Sequence, residues 1–122
     1  MSNEVVSAIL ETILESIEMV EARFSRIHHP DDLVSSPDGV TILDAISMRL
    51  QVIGEQTKKL EKTEPSILVA CPDIEWNKVM KLRDLISHHY EKMDHEVVFD
   101  ICEIHIPRLK TAIQSFTQGK NP

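Results

Sequence analysis

With 122 residues, of which 42% are hydrophobic and 27% charged, the chain can form one folded core but not two, and it is not intrinsically disordered. Only 4% of residues are aromatic and three are glycine, so aliphatic residues and Met must fill the core, which favours helices over a β-sandwich or barrel. The net charge of −7 excludes general affinity for nucleic acid, and no apolar run or basic N-terminal start indicates a membrane span or targeting peptide. We therefore expect a cytoplasmic protein without membrane contact.

The first predicted helix covers residues 3–28 and should be followed by a connector rich in turn formers, residues 28–39. Ser2 or Asn3 can cap the start of this helix, and Pro30 should end it. Apolar side chains three or four positions apart define its buried face at Val6, Ile9, Ile13, Ile17, Val20, Phe24 and Ile27. Glutamates occupy the opposite face and should be solvated.

The second predicted helix covers residues 38–62, with Asp38 as its candidate cap. Gly54 lies inside it at a cost of about 1 kcal/mol relative to alanine, which suggests that a neighbouring helix approaches closely. The next segment, 64–76, contains Pro65 and Pro72 and should form a short helix or turn that places Ile67, Leu68 and Val69 on the core.

Two further helices complete the predicted fold. One covers residues 73–90 with Asp73 as its cap, and its apolar start includes Trp76 as a core residue. The other covers residues 95–118, is capped by Asp94, and contains Pro107, which should kink it because proline lacks an N–H and crowds the previous turn. The pattern predicts an all-α, antiparallel bundle of four or five helices.

Cysteines and scattered histidines give no metal-binding pattern. Cys71 and Cys102 are 31 positions apart with no second cysteine near either, so we expect two reduced thiols. His28 and His29 precede Pro30 in a loop and should be solvated. Neither His95 nor His105 has a second ligand at a zinc-like spacing.

The candidate site lies in residues 81–90, which read KLRDLISHHY. Asp84 and His88 are four positions apart and share a helix face, so Asp84 could orient the imidazole. Arg83 and His88 are five positions apart, which separates them by roughly 140° around an ideal helix. Spacing alone therefore favours surface groups at a helix end. For joint action on one ligand, the helix must end or deform near 87–89, or a second chain must contribute.

This stretch resembles a known family. RDLISHHY matches the Arg-x4-His-x-Tyr motif of the HEPN superfamily, in its branch of HepT-like toxins. The resemblance extends over residues 72–113, PDIEWNKVMKLRDLISHHYEKMDHEVVFDICEIHIPRLKTAI, and over residues 52–60, VIGEQTKKL, which looks like the family's Ile-Gly-Glu segment. Asp84 stands where asparagine is common in this branch, and His89 stands where many relatives carry an acid.

The resemblance implies a single HEPN-like helical domain over residues 1–122 that works as a homodimer, with the motifs of two chains lining one cleft. Many HEPN proteins are endoribonucleases that need no metal or other cofactor, and HepT-like members pair with an MNT-type nucleotidyltransferase antitoxin. In studied members the tyrosine of the motif is adenylylated by that partner. Tyr90 is the matching residue here; its other reading is a half-buried ring with a hydrogen-bonded hydroxyl.

Chemistry gives each motif residue a role. Attack by the RNA 2′-OH needs a base, an acid for the leaving oxygen and a cation for the phosphate. We expect His88 to move protons, Arg83 to hold the phosphate, and Asp84 and Tyr90 to orient them. Residues 77–93 carry four Lys or Arg against two acids, so the RNA-binding candidates are Lys78, Lys81 and His89.

A second function class stays open. The same bundle could be a non-catalytic interaction or nucleotide-binding module that serves a partner nucleotidyltransferase. The acidic net charge and Asp84 favour this module, whereas the complete motif favours the ribonuclease.

Overall fold

The computed structural model describes residues 2–89 and 94–118, and at positions 2, 3, 88, 89 and 118 it describes the backbone alone. Within this part of the chain the regular structure is helical and no strand occurs. The helices are α1 (Ser2–Phe24), α2 (Pro37–Thr63), α3 (Pro65–Val69), α4 (Trp76–Met80), α5 (Leu82–His89), α6 (His95–Asp100) and α7 (Ile106–Gln118). A 3₁₀ turn at Pro30–Leu33 precedes α2, and a π-helical turn at Ile101–His105 joins α6 to α7.

The two long helices, α1 and α2, pack along each other and form the centre of the core. Val5 and Ala8 near the start of α1 share one surface depression with Lys59 and Lys62 near the end of α2, so the two helices run antiparallel. The fully buried core residues come from every long helix and include Ile13, Ile17, Ile46, Leu50, Ile53, Ile86, Val98, Ile106 and Ile113. The predicted all-α bundle is confirmed, and aliphatic side chains do fill its core.

Local hydrogen bonds shift the ends of the first two helices from their predicted positions. α1 already contains Ser2 and Asn3, so neither is its cap, and it ends at Phe24 rather than at residue 28. The N–H groups of residues 25–27 still donate to backbone carbonyls of α1. The carboxylate of Asp32 then accepts from the N–H groups of residues 28 and 29, which stabilises a turn instead of further helix. α2 is capped by Ser36, whose Oγ accepts from the Gly39 N–H at 3.0 Å, and not by Asp38.

The prediction of one helix over residues 73–90 is wrong in two respects, because the helix starts later and is divided into α4 and α5. Helix α4 begins at Trp76, and Asp73 lies in the preceding turn rather than at the cap. The indole N–H of Trp76 donates to the Cys71 carbonyl at 2.9 Å, and this contact places the ring, 8% exposed, in the core as predicted. A break at Lys81 then separates α4 from α5.

The preceding short segment is also partly corrected. Leu68 of α3 packs on the core as predicted, whereas the adjacent Val69 is 76% exposed.

Pro107 distorts the last helix, but the distortion is a π-helical turn located before the proline. The N–H of Ile106 donates to the carbonyl of Ile101, five residues earlier, at the end of the Ile101–His105 turn. The wider turn relieves the crowding that a proline ring causes in the turn before it. The predicted cap of this segment is confirmed, because the Asp94 carboxylate accepts from the Glu96 N–H at 2.8 Å. Among the described residues, no helix is both long and apolar enough to cross a bilayer.

Candidate functional site

Gly54 sets the position of the candidate site, because it lets the junction of α4 and α5 touch the backbone of α2. A Cβ atom at Gly54 would lie 3.0 Å from the backbone nitrogen of Arg83 and 3.0 Å from the carbonyl oxygen of Val79. It would also lie 3.3 Å from the Cβ of Leu82. The close approach predicted from a glycine inside a helix is confirmed, and Arg83 is part of it.

Arg83 reaches the surface beside an acidic residue of α2. Its Nε lies 3.5 Å from Oε1 of Glu55, and the two side chains are 52% and 49% exposed. One turn later in α5 and one turn earlier in α2, the Ser87 hydroxyl donates to Oε1 of Gln51 at 3.1 Å. The face of α5 that carries Arg83 therefore meets α2 through two polar contacts in addition to the close backbone approach at Gly54.

The other predicted site residues do not all gather around Arg83. Asp84 is exposed on α5. The side chains of His88 and His89 lie outside the described residues, although the α5 backbone is helical through both positions. Tyr90 also lies outside the described residues.

The two predicted RNA-binding lysines face a separate groove of about 610 Å³ between α4–α5 and α6–α7. Apolar side chains of both walls line it, and the charged side chains along it include Lys78, Lys81 and Arg108. Lys78 pairs with Glu75 at 3.3 Å. Leu85 and Val97, which are 40% and 41% exposed, also line this groove and leave apolar surface in contact with water.

Sequence reasoning missed three components of these surfaces. Gln51 and Ser87 carry no motif signal, and their contact depends on how α2 and α5 cross. Glu55 was visible only as part of the Ile-Gly-Glu segment, where its position next to Gly54 was the available signal. The groove depends on the π-helical turn, because Ile101 and His105 of that turn line it.

Residues 13–116 match the model of a protein family described as "Ribonuclease HepT-like". The chain belongs to the HepT-like ribonuclease family. It is 29% identical over 101 residues to a Thermococcus cleftensis protein named "Probable ribonuclease HepT", which covers 83% of this chain and 86% of that protein. No solved structure matches the chain.

Two Methanocaldococcus jannaschii proteins are also similar to this HepT-like chain. One, named "Gamma-glutamylcyclotransferase and putative RNase", is 29% identical over 108 residues, and the match covers 88% of this chain but only 46% of that protein. The other, named "Putative RNase", is 32% identical over 63 residues, which cover 52% of this chain and 50% of that protein. The predicted HepT-like resemblance is therefore confirmed at the level of the family.

Two histidines outside the motif of this HepT-like protein, His29 and His95, have structural partners. His95 Nε2 lies 3.1 Å from Oδ1 of Asp31, so it joins the start of α6 to the Pro30–Leu33 turn. His29, which the sequence suggests is only solvated, is exposed but also caps that turn, because its Nδ1 accepts from the Asp31 N–H at 3.2 Å. Among the described residues, no group of three His, Cys, Asp or Glu side chains has a metal-binding arrangement.

The two cysteines lie apart from the candidate site and are unpaired, as predicted. Cys71 is half-buried, whereas Cys102 is buried inside the π-helical turn. Burial raises the pKa of the Cys102 thiol to about 12, because the thiolate would lose its solvation there.

Proposed function

We propose that this chain is a metal-independent endoribonuclease in which Arg83 binds the scissile phosphate and His88 transfers protons. The observation that carries the proposal is the half-exposed guanidinium of Arg83, held at the surface beside Glu55, in a chain of the HepT-like ribonuclease family. A planar guanidinium donates two parallel hydrogen bonds to phosphate oxygens and stays charged at any relevant pH. Asp84, exposed next to Arg83 on α5, is the proposed orienting residue for the imidazole of His88.

The proposed reaction needs two proton transfers. One imidazole removes the proton from the RNA 2′-OH as O2′ attacks phosphorus. The P–O5′ bond breaks, and a protonated imidazole gives its proton to O5′. The products are a 2′,3′-cyclic phosphate and a free 5′-hydroxyl, and the guanidinium stabilises the charge that grows on the phosphoryl oxygens.

A homodimer is part of the proposal because one chain supplies one motif histidine. Helix α5 neither ends nor deforms before His89, so positions 83 and 88 stay roughly 140° apart around its axis. This separation supports a second chain as the route by which Arg83 and His88 act on one phosphate. A two-fold axis would supply a base, an acid and two cations.

The test uses single-stranded RNA and four purified variants. Arg83→Ala and His88→Ala should each lower the cleavage rate by about 10²-fold or more while keeping the wild-type circular dichroism spectrum. Arg26→Ala and His28→Ala are matched controls, since both residues are exposed and lie outside the site. Wild-type cleavage by His88→Ala would exclude the proposed mechanism.

The proposal includes an MNT-type nucleotidyltransferase as antitoxin and Tyr90 as the residue that it adenylylates. In the proposed dimer cleft, an AMP group would add negative charge and so compete with the RNA phosphate for Arg83. Mass spectrometry after co-expression with a neighbouring nucleotidyltransferase should find the AMP adduct on the peptide that contains Tyr90. An unmodified peptide, with growth arrest still relieved, would contradict this mode of neutralisation.

The alternative is a non-catalytic interaction or nucleotide-binding module that serves a nucleotidyltransferase. The apolar groove with exposed Leu85 and Val97 favours it, because such surface is typical of a contact with another protein. Expression without the partner separates the two functions. Growth arrest that Arg83→Ala abolishes supports the ribonuclease, whereas harmless expression of a folded protein supports the module.

A further inference from the structure

Glu55 is the acidic partner of Arg83 within the part of the chain that the structure describes. The contact joins Nε of the guanidinium to Oε1 of the carboxylate across 3.5 Å, and both side chains are about half exposed. An exposed pair of this kind contributes little to stability, because solvent screens it. The pair therefore affects the position of the guanidinium more than the stability of the fold.

Contacts between α2 and α5 hold the backbone on both sides of this pair in place. Gly54, next to Glu55, has no side chain, so the backbone nitrogen of Arg83 can lie close to it. A Cβ atom on Gly54 would be only 3.0 Å from that nitrogen. The hydrogen bond from Ser87 to Gln51, 3.1 Å long, holds the same two helices together one turn away. With both backbones held, the carboxylate of Glu55 selects among the orientations that the long side chain of Arg83 can adopt.

We infer that Glu55 is a positioning residue for Arg83, and that it directs the outer edge of the guanidinium toward the RNA phosphate. The contact uses Nε, which is the inner nitrogen of the group. A phosphate that binds across Nη1 and Nη2 can then form two parallel hydrogen bonds while the carboxylate stays in place. This inference rests on the proposed ribonuclease function, and neither the motif nor the family name assigns this role to Glu55.

The role has a kinetic signature that a general charge effect lacks. Loss of Glu55 removes a negative charge near the RNA, so the KM for RNA should stay the same or fall. The kcat should nevertheless fall, because an unrestrained guanidinium is misplaced in a larger fraction of bound complexes. A residue with a purely structural role would instead lower the melting temperature and the amount of active protein.

The experiment compares Glu55→Ala, Glu55→Gln and the control Glu61→Ala, which removes the same charge from an exposed position of the same helix. Glu55→Ala should lower kcat about threefold without raising KM, since an exposed pair of this kind restricts the guanidinium by well under the ~1.4 kcal/mol of a tenfold change. Glu55→Gln keeps an acceptor oxygen but loses the charge, so it should recover part of that loss. Glu61→Ala should keep the wild-type kcat, and all three variants should melt within about 2 °C of the wild type.

A double variant tests whether Glu55 acts through Arg83. Adding Glu55→Ala to Arg83→Ala should change kcat no further, because the group to be positioned is already absent. If Glu55→Ala matches Glu61→Ala in kcat, or if the two site changes multiply independently, the positioning role is overturned. The ribonuclease proposal would survive that result as long as Arg83→Ala and His88→Ala remain inactive.

If the wild type cleaves no RNA, nuclear magnetic resonance still decides the inference. The Nε–H signal of Arg83 should shift and exchange faster with water in Glu55→Ala than in the wild type or in Glu61→Ala. An unchanged signal would show that the carboxylate does not hold the guanidinium. The failure of the enzyme and the failure of the positioning role therefore give different results.

Discussion

The backbone nitrogen of Arg83 lies 3.0 Å from the point that a Cβ atom would occupy on Gly54. A helix interior normally disfavours glycine by about 1 kcal/mol relative to alanine. Here the missing side chain lets α2 contact the first turn of α5, and this contact places Arg83 beside Glu55. One glycine thus links the packing of two helices to the position of the proposed phosphate-binding group.

Gly54→Ala should lower the free energy of unfolding by about 1 kcal/mol. Overpacking typically costs 1–3 kcal/mol, and alanine recovers roughly 1 kcal/mol through its higher helix propensity. The net sign is unfavourable because the new methyl group would press on backbone atoms of Val79 and Arg83, which cannot rotate away. Urea unfolding measures the change, with the exposed Lys59→Ala on the same helix as control. A variant as stable as the wild type would mean that the α4–α5 junction moves aside at little cost.

Arg83→Lys should lower the rate of RNA cleavage by about tenfold or more although the charge is kept. An ammonium group is a point charge and cannot form the two parallel hydrogen bonds that a guanidinium offers to phosphate. Initial rates on a labelled single-stranded RNA provide the measurement, and the exposed Arg26→Lys is the matched control. Full activity of Arg83→Lys would show that positive charge alone is sufficient at this position.

The helical period, the prolines and the capping residues predicted where most helices lie but not where each one ends. The buried face of α1 and the cap at Asp94 follow from local sequence, because helical period and capping chemistry act over a few residues. The turn that follows α1 depends instead on Asp32, which lies further along the chain and whose carboxylate accepts from the N–H groups of residues 28 and 29. Apolar period continues to Ile27, which is buried without being helical.

The candidate site was predictable in its chemistry and not in its surroundings. The motif singles out Arg83, and Gly54 signals a close helix contact, but no local pattern shows that these two residues meet. Pairing Glu55 with Arg83 requires the crossing of α2 and α5, which depends on the packing of the whole core. The π-helical turn illustrates the same limit, since Pro107 predicts a distortion without determining its form.

Asp32→Asn should lower stability near neutral pH, and the difference from the wild type should shrink in acid. The backbone N–H groups of His28 and His29 donate to the Asp32 carboxylate and hold its pKa below the usual 3.8. The unfolded chain therefore binds the proton more readily, so the contribution of Asp32 is complete above pH 3.8 and is lost as the pH falls through the lower folded pKa. Urea midpoints between about pH 6 and pH 2.5 measure it. Asp73→Asn, at an exposed position in the turn before α4, controls for the loss of one carboxylate.

Iodoacetamide should label Cys71 well before Cys102 in the folded protein. The thiolate is the reactive form, and with a pKa of about 12 only about one Cys102 in 10⁴ is ionised at about pH 8. Cys71 is half-buried, so the reagent reaches it without any opening of the fold. Peptide mapping by mass spectrometry follows each site, and Cys71→Ser isolates the slow reaction of Cys102. Urea should make both sites react alike. Equal rates without urea would mean that the π-helical turn around Cys102 opens readily, because alkylation of a buried thiol requires the surrounding structure to expose it first.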